Sequence, residues 1–264
     1  MTSHAHPRPV QPKPRAAASQ RAERARRLRL VGFGAIVGLA AVIGVVLALT
    51  SARGTTTVTT SATAVATVNS LLDGIPQSGT TLGRANAPVT VTEFGDLVCP
   101  VCAEFAVGPE AALIAAEVRT GQAKLVFRGL ETASGAANQS EYVNTQVAVR
   151  SAGLQNDAWY YILLAYEEQP QTINGAPAED APYVTSGYLQ QLAAQIHGLN
   201  LTSWQAGMND QPLINAVSTD AQAATQANVT GTPTIFVSGP KGTVRSPSAV
   251  PALADLQAMI RQVS

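Results

Sequence analysis

The chain has 264 residues and a formal net charge of zero, and it contains only two cysteines. This length fits one folded domain of ordinary size with additional segments, and two cysteines exclude the disulfide framework that holds small secreted domains together. The balanced total hides an asymmetry, because residues 1–29 carry eight Lys or Arg against one acid, whereas the residues from Gly54 onward carry eight Lys or Arg against 16 acids.

Residues 30–50 form an uncharged apolar run, LVGFGAIVGLAAVIGVVLALT. A transmembrane helix needs about 20 such residues. Because the excess of positive charge precedes this run, the positive-inside rule predicts a cytoplasmic basic arm over residues 1–29 and an extracytoplasmic C-terminal domain. The alternative is a cleaved signal peptide, whose apolar core is usually about 7–15 residues long. We therefore expect a single-pass cell-membrane protein, held in the lipid bilayer by a transmembrane helix over residues 30–50, and no nucleic-acid partner.

The segment after this run divides into two parts. Residues 51–70 are rich in Thr, Ser and Ala and nearly uncharged, which predicts a flexible linker, and residues 71–264 are the predicted folded domain. The pair Gly108-Pro109 predicts a kink in its first helix. Hydrophobic periodicity and turn residues predict these elements: a strand over 89–94, a helix over 104–120, a strand over 124–128, a helical insertion over about 138–227, a strand over 234–237, a return strand over 243–245 and a helix over 250–263.

Both cysteines lie in the segment Cys99-Pro100-Val101-Cys102, between the first predicted strand and the following helix. Two cysteines on the first turn of a helix can reach each other, and the free N–H groups and dipole of the helix start stabilise the thiolate of the first one. The thiolate is the attacking species in thiol–disulfide exchange. The spacing therefore predicts Cys99 as the outward-facing nucleophile, Cys102 as the inner resolving thiol and Pro100 as a stiffening residue at the first helical position.

Three other interpretations of the cysteine pair were considered. A zinc site needs about four ligands, but the chain has three histidines and two of them, His4 and His6, fall in the predicted cytoplasmic arm. A structural disulfide across two residues would close a very small loop and stabilise little. Two buried inert thiols are the third alternative. We expect no metal and no cofactor beyond the redox-active disulfide Cys99–Cys102.

Two segments carry a resemblance to a known family. The segment from Leu82 to Cys102, LGRANAPVTVTEFGDLVCPVC, resembles the start of DsbA-like members of the thioredoxin superfamily, and Gly231-Thr232-Pro233-Thr234 resembles that family's cis-proline loop. The resemblance covers about residues 78–264 and includes the helical insertion. It implies an α/β thioredoxin fold with a helical insertion and the activity of a thiol:disulfide oxidoreductase.

The resemblance also implies site residues outside the cysteine pair. The Thr232–Pro233 peptide bond is expected to be cis, in a loop beside the cysteines where the backbone of Thr232 pairs with the substrate chain and helps tune the thiolate. Without the resemblance, an ordinary trans turn would be the simpler interpretation. Between the two cysteines, Pro100 and Val101 are expected to contact substrate.

Glu93 lies six residues before Cys99, inside the first predicted strand, where the resemblance implies a buried acid. Burial would raise the pKa of this carboxyl and suit it to exchange a proton with Cys102. The alternative is an acid on the solvent side of an edge strand. Asp96 is a second candidate, although a loop aspartate is more often solvated, and Lys124 is a candidate partner for Glu93 on the neighbouring strand.

These features together predict an extracytoplasmic thiol oxidase that introduces disulfides into reduced exported proteins and is re-oxidised by a membrane partner. Val101 stands where the strongly oxidising DsbA has histidine, and valine supplies neither charge nor donor, so we expect a potential below about −120 mV. Two alternatives stay open. One is a membrane-anchored thiol reductase, and the other is a non-enzymatic thioredoxin-fold module for binding or assembly.

Overall fold

The fold was examined in a computed structural model, which describes residues 62–133, 139–173, 175–178 and 182–264. The predicted cytoplasmic arm, the predicted membrane span over residues 30–50 and the first part of the predicted linker lie outside the described residues. Within the described ranges, no helix is long and apolar enough to cross a membrane.

The described residues form eight strands and nine α-helices. One π-helical turn joins two of these helices, and a second π-helical turn follows them. In chain order the elements are α1 (Ala62–Leu72), β1 (Gln77–Ser78), β2 (Thr81–Leu82), β3 (Val89–Gly95), α2 (Pro100–Phe105), the first π-turn (Ala106–Glu110), α3 (Ala111–Leu113), the second π-turn (Ile114–Val118), β4 (Ala123–Gly129), α4 (Gln139–Gly153), α5 (Ala158–Glu167), β5 (Thr172–Ile173), β6 (Ala176–Pro177), α6 (Ser186–Ala194), α7 (Leu201–Gly207), α8 (Gln211–Gln226), β7 (Thr234–Gly239), β8 (Gly242–Arg245) and α9 (Leu253–Val263).

Six of the strands form one mixed sheet in the order β1-β2-β4-β3-β7-β8. The central strand β3 runs parallel to β4 and antiparallel to β7, and β7 continues into β8 through a hairpin. Val89 and Val91 of β3 are buried, as expected for a β-branched strand inside a sheet. A strand–helix–strand half and a strand–strand–helix half thus share one sheet, with helices α4 to α8 inserted between them. The predicted thioredoxin-like α/β fold with a helical insertion is confirmed.

The predicted linker over residues 51–70 is wrong for residues 62–70, which belong to α1. Its buried residues Ala64, Val68 and Leu72 recur every four positions, so they form one face that packs against α5. Arg119 fixes the end of this helix by donating to the carbonyl oxygens of Leu71 and Asp73, at 2.7 and 2.8 Å. Composition did not predict this face, because most residues of α1 are small and few are strongly hydrophobic.

The helical segment after the cysteines runs from Pro100 to Val118 with two π-turns. Pro109 lies inside the first π-turn, where its missing N–H and its ring are accommodated by the wider turn. The predicted interruption at Gly108-Pro109 is therefore a local π-turn. This turn carries Glu110 into the interior, while Val107 stays 45% exposed.

Helix α5 forms the floor beneath the cysteine-bearing segment. Eight of its ten residues are buried, which is typical of a helix enclosed by protein on all sides. Trp159 and Tyr161 are completely buried, and their polar atoms donate to the carbonyl oxygens of Thr80 and Leu189, both at 3.0 Å. These two aromatic side chains are therefore core residues.

Candidate active site

The loop between β3 and α2 is fixed by the buried carboxylate of Asp96. One oxygen of Asp96 accepts from the N–H of Val98 at 3.1 Å, and the other accepts from the N–H groups of Thr132 and Ala133, both at 2.9 Å. The Asp96 carbonyl oxygen accepts from the N–H of Cys99 at 3.0 Å. The expectation of a solvated loop aspartate is thus wrong, because Asp96 is completely buried and joins two loops.

Cys99 and Cys102 are free thiols on the first turn of α2. Cys99 is the extended N-cap residue, Pro100 follows at the first helical position, and the carbonyl oxygen of Cys99 accepts from the N–H of Ala103 at 3.2 Å. Cys102 is completely buried, whereas Cys99 is 6% exposed. Cys99 is therefore the more accessible thiol, although the prediction of an outward-facing cysteine overstated its exposure.

Donors around the Cys99 sulfur favour its thiolate form. The Cys102 thiol lowers the pKa of Cys99 most, and the N–H groups of Cys102 and Val101 and the Thr232 hydroxyl add to the effect. Together they outweigh partial burial and lower the pKa of Cys99 from 9.0 to about 6. At neutral pH Cys99 is therefore mostly thiolate, the species that attacks a disulfide.

The environment of Cys102 has the opposite effect. Burial raises the pKa of the Cys102 thiol well above 9.0, and the neighbouring charges of Glu93 and Cys99 raise it further. Cys102 therefore keeps its proton at neutral pH and needs a proton acceptor before it can attack a mixed disulfide. At neutral pH the pair therefore consists of an ionised, slightly accessible Cys99 and a protonated, buried Cys102.

Glu93 lies on the central strand β3, where it faces Phe127 of β4 and Ile235 of β7, and it is 1% exposed. The alternative of a solvent-facing acid on an edge strand is wrong. Burial raises the pKa of Glu93 from 4.5 to about 8, and the Cys99 charge adds to this, whereas a hydrogen bond with Glu110 opposes it. Lys124 is not its partner, because the Lys124 Nζ donates to the carbonyl oxygen of Ala85 at 2.8 Å.

The loop before β7 lies against the first cysteine. The Thr232–Pro233 bond is cis, as the resemblance implied. The Cys99 thiol donates to the carbonyl oxygen of Thr232, with Sγ and O 3.7 Å apart. The Thr232 hydroxyl contacts the hydroxyl of Thr132, so the segment that Asp96 holds also supports the proline loop. Pro233 is buried and Thr232 is half-buried.

Two openings flank Cys99. The first is lined by Pro100, Val101 and Val107 on one side and by Tyr166 and Gln169 on the other. Val101 is 39% exposed, and the Gln169 side chain donates to the carbonyl oxygen of Leu97 at 3.0 Å. The second opening is lined by residues of the proline loop together with Arg245 and the segment after it. Pro100 of the first opening follows Cys99 in the chain, and Thr232 of the second opening contacts the Cys99 sulfur.

The family model described as Thioredoxin matches residues 77–255, which is more than half of the chain. The chain belongs to the thioredoxin family. Its cysteine pair, its cis-proline bond and its helical insertion are the features on which the resemblance to DsbA-like members rests.

One curated relative in this family is disulfide bond formation protein D of Bacillus subtilis (strain 168), which is 24% identical over 156 residues. The match covers 59% of this chain and 66% of that protein, slightly less than two thirds of the relative's length. We therefore treat the activity of the relative as the basis of a proposal for this chain.

Solved thioredoxin-fold structures show the same architecture. Oxidised BdbD from Bacillus subtilis has a TM-score of 0.59 at 21% identity, over 71% of this chain and 95% of that one. DsbA from Chlamydia trachomatis has a TM-score of 0.54 at 18% identity, over 69% and 90%. DsbA2 from Pseudomonas aeruginosa has a TM-score of 0.52 at 20% identity, over 72% and 97%. At these identities the likeness establishes the fold.

The thioredoxin-family site brings the predicted residues together around one point. Cys99 and Cys102 start α2, Glu93 lies beneath them, Thr232 and Pro233 flank Cys99, and Pro100 and Val101 border the first opening. Their individual roles in catalysis and substrate binding remain predictions. In the described part of the chain, no cluster of three or more His, Cys, Asp or Glu side chains has the arrangement of a metal site.

Sequence reasoning missed three parts of this site. They are Glu110 below the cysteines, Tyr166 in the floor, and Thr132 beside the proline loop. Glu110 stands four residues after buried Ala106, a helical spacing that could have revealed it, but Gly108-Pro109 obscured the pattern. Thr132 has no local signal, because its links to the site are with Asp96 and Thr232, which are distant in sequence.

Proposed function

We propose that this chain is an extracytoplasmic thiol:disulfide oxidase that introduces disulfides into exported proteins through Cys99 and Cys102. The observation that carries the proposal is the set of donors around the Cys99 sulfur. These donors stabilise the thiolate and hence the reduced pair. A stabilised reduced form is what makes a dithiol a good acceptor of electrons.

The reaction follows from the division between the two thiols. A substrate thiolate attacks the Cys99 sulfur of the oxidised pair, the Cys99–Cys102 bond breaks, and its electron pair leaves on Cys102, which takes up a proton. A second substrate thiolate then attacks the substrate sulfur of the mixed disulfide, and Cys99 leaves as a thiolate. The substrate has lost two electrons and gained a disulfide, and the pair holds those electrons as one thiolate and one thiol.

The substrate-binding proposal uses the two openings beside Cys99. Thr232 is half-buried and lies next to the Cys99 sulfur, where its backbone can pair with an extended chain. Exposed Val101 and Val107 offer apolar contact on the other side. Such a surface suits unfolded segments with varied side chains, because main-chain pairing does not depend on sequence.

The proposed location rests on the apolar run over residues 30–50 and the basic residues before it. A catalytic domain held outside the membrane would meet exported proteins while their cysteines are still reduced. The electrons collected on the pair would then pass to a membrane re-oxidising partner through a second exchange at Cys99. The name of the Bacillus subtilis relative, disulfide bond formation protein D, supports this direction of transfer.

The proposal is tested by mixing the oxidised full-length protein with a reduced, unfolded protein that carries two cysteines. We expect substrate disulfides to form in proportion to the enzyme disulfide consumed, and catalytically once an oxidant is added. Cys99→Ser removes the only sulfur that can form the mixed disulfide and should abolish turnover. Undiminished oxidation by Cys99→Ser would refute the proposal. Ser203→Ala, at an exposed position of α7, is the control that should retain wild-type rates.

A further inference from the structure

Two carboxyl side chains meet in the interior beneath the cysteines. Glu93 comes from β3 and Glu110 from the first π-turn, and their exposed fractions are 1% and 0%. None of the four carboxyl oxygens has a hydrogen-bond partner of ordinary geometry among the described groups, and no described cation forms an ion pair with either side chain. The two carboxyls are near enough to alter each other's pKa. Unpaired buried carboxylates are costly, so this arrangement needs an explanation.

The groups that face the pair belong to the exchange site. Cys99 and Cys102 face Glu93 from α2, and the Tyr166 hydroxyl faces both carboxyls from α5, with Asp96 beyond it in the loop. Gly95 makes room for this cluster. A Cβ atom at Gly95 would lie 2.7 Å from the Glu93 Oε1 atom and 2.9 Å from the Tyr166 hydroxyl oxygen. The acids therefore lie beside the reacting sulfurs and apart from solvent.

Two neighbouring carboxyls in a dry site cannot both ionise, so one of them keeps a proton and donates it to the other. The interaction is asymmetric here. The hydrogen bond with Glu110 favours the ionised form of Glu93, whereas burial and the Glu93 charge both hold Glu110 in its protonated form. Among the described residues, Glu110 is thus the group whose proton would stabilise a Glu93 carboxylate.

We infer that Glu110 is a positioning residue for thiol–disulfide exchange, which holds Glu93 by a donated hydrogen bond so that Glu93 can pass a proton to and from Cys102. This inference rests on the proposed function, because it assigns Glu110 a part in the same reaction. The site then has two acids with different tasks. Glu93 exchanges the proton with the sulfur, and Glu110 remains protonated throughout.

The proton that Glu93 gives up during substrate oxidation returns to it during re-oxidation of the cysteine pair. When the Cys99–Cys102 bond breaks, the Cys102 sulfur takes the electron pair and the Glu93 proton, and Glu93 becomes a carboxylate that accepts a hydrogen bond from Glu110. During re-oxidation Glu93 takes the proton back as the Cys102 sulfur attacks Cys99 in the mixed disulfide with the oxidising partner. The electron pair of the broken mixed disulfide leaves with the partner's sulfur.

The first test follows the pH dependence of substrate oxidation and of re-oxidation in single turnovers of the full-length protein. Glu110→Leu removes the donor to Glu93. We expect the limb of its pH–rate profile that depends on the Glu93 carboxyl to move to higher pH. The re-oxidation rate at neutral pH should fall about tenfold, less than the roughly 10²–10⁴-fold that a general acid or base itself contributes. Glu110→Gln keeps an N–H donor and should restore much of the rate. Glu117→Gln, on the same helical segment but bonded to Gln257, is the matched control.

A double-mutant cycle separates a positioning role from a structural one. If Glu110 acts through Glu93, then Glu110→Leu should change neither rate nor pH profile once Glu93→Gln is present. An unshifted profile in Glu110→Leu, or effects of the two substitutions that simply add, would overturn the inference.

An infrared measurement makes the test independent of oxidase activity. The wild-type protein should show the carbonyl stretch of a protonated carboxyl at neutral pH. Glu110→Leu should shift this band, because the remaining Glu93 carboxyl no longer meets a second carboxyl, while Glu117→Gln should retain it. A wild-type spectrum with no protonated carboxyl would contradict the shared-proton pair. A wild-type protein that shows the band and oxidises no substrate would instead contradict the proposed function.

Discussion

The Thr232 side chain links the proline loop to the ionisation of the Cys99 thiol. Its hydroxyl is one of the donors that lower the pKa of Cys99, and it contacts the hydroxyl of Thr132. Hydrogen bonds to charged groups are worth about 1.5–3 kcal/mol, which corresponds to about one pKa unit or slightly more.

We expect Thr232→Val to raise the pKa of Cys99 by about one unit, because the thiolate loses a donor. The reduced pair is then less stable, and the potential should fall by about 30 mV. The pH dependence of thiol alkylation measures the first change and equilibration with glutathione measures the second. Thr230→Val, at an exposed position of the same loop, should leave both values unchanged, and an unaltered pKa in Thr232→Val would refute the assigned role.

At the scale of elements, the site depends on one aspartate that ties three segments together. Asp96 joins the end of β3, the start of α2 and the segment after β4 through hydrogen bonds from Val98, Thr132 and Ala133. None of these segments has regular structure at that point. The carboxylate replaces the backbone partners that a strand or helix would have supplied.

Asp96→Ala should leave buried N–H groups without acceptors and lower the free energy of unfolding by about 1–3 kcal/mol. Denaturant unfolding measures this change. Asp73→Ala, at an exposed position, should cost much less. Because the Thr132 segment also supports the proline loop, Asp96→Ala should slow the alkylation of Cys99 as well. Stability equal to that of the Asp73→Ala protein would show that the carboxylate has no structural role.

These elements also show which parts of the fold were predictable. The strand at Val89 to Phe94 and the hairpin after Pro233 were recovered because β-branched runs and turn residues mark them locally. Helix α1 was missed because its buried face consists of Ala, Val and Leu spaced among Thr and Ser. Strands β1 and β2 have two residues each and are defined by pairing with each other and with β4, which no local pattern records.

The residues of the site likewise fall into those that the sequence predicts and those that it does not. Cys99, Cys102 and the Thr-Pro pair were predictable because motif and position define them. A π-turn brings Glu110 to the site, and Thr132 is held there by a partner that is distant in sequence. The place of both residues therefore depends on the assembled fold. The buried state of Asp96 likewise follows from three N–H groups that converge on it only after folding.

At the scale of the whole molecule, the buried acids link stability to pH. In the unfolded chain both carboxyls ionise near pH 4.5, whereas burial keeps Glu93 protonated in the fold up to about pH 8 and holds the Glu110 pKa well above 4.5. Between these limits the folded state binds more protons than the unfolded state. The free energy of unfolding should therefore fall as pH rises, by up to about 1.4 kcal/mol per pH unit for each proton retained.

We expect the Glu93→Gln/Glu110→Gln protein to lose this dependence. Its stability relative to the wild type should increase steadily from pH 4.5 to about pH 8 and less steeply above it, because Glu110 alone then retains its proton in the fold. Denaturant unfolding of the oxidised proteins measures this, since oxidation removes the titration of the thiols. A constant difference between the two proteins over that interval would mean that the carboxyls titrate normally in the fold.

The redox potential of the Cys99–Cys102 pair in the full-length protein, equilibrated in glutathione buffers, tests the proposed oxidase most directly. A Cys99 pKa of about 6 lies between the values of about 7 for thioredoxin and about 3.5 for DsbA. The potential should accordingly fall between those of the two proteins, above about −270 mV and below about −120 mV. A value near or below about −270 mV would contradict the account and identify the protein as a reductase.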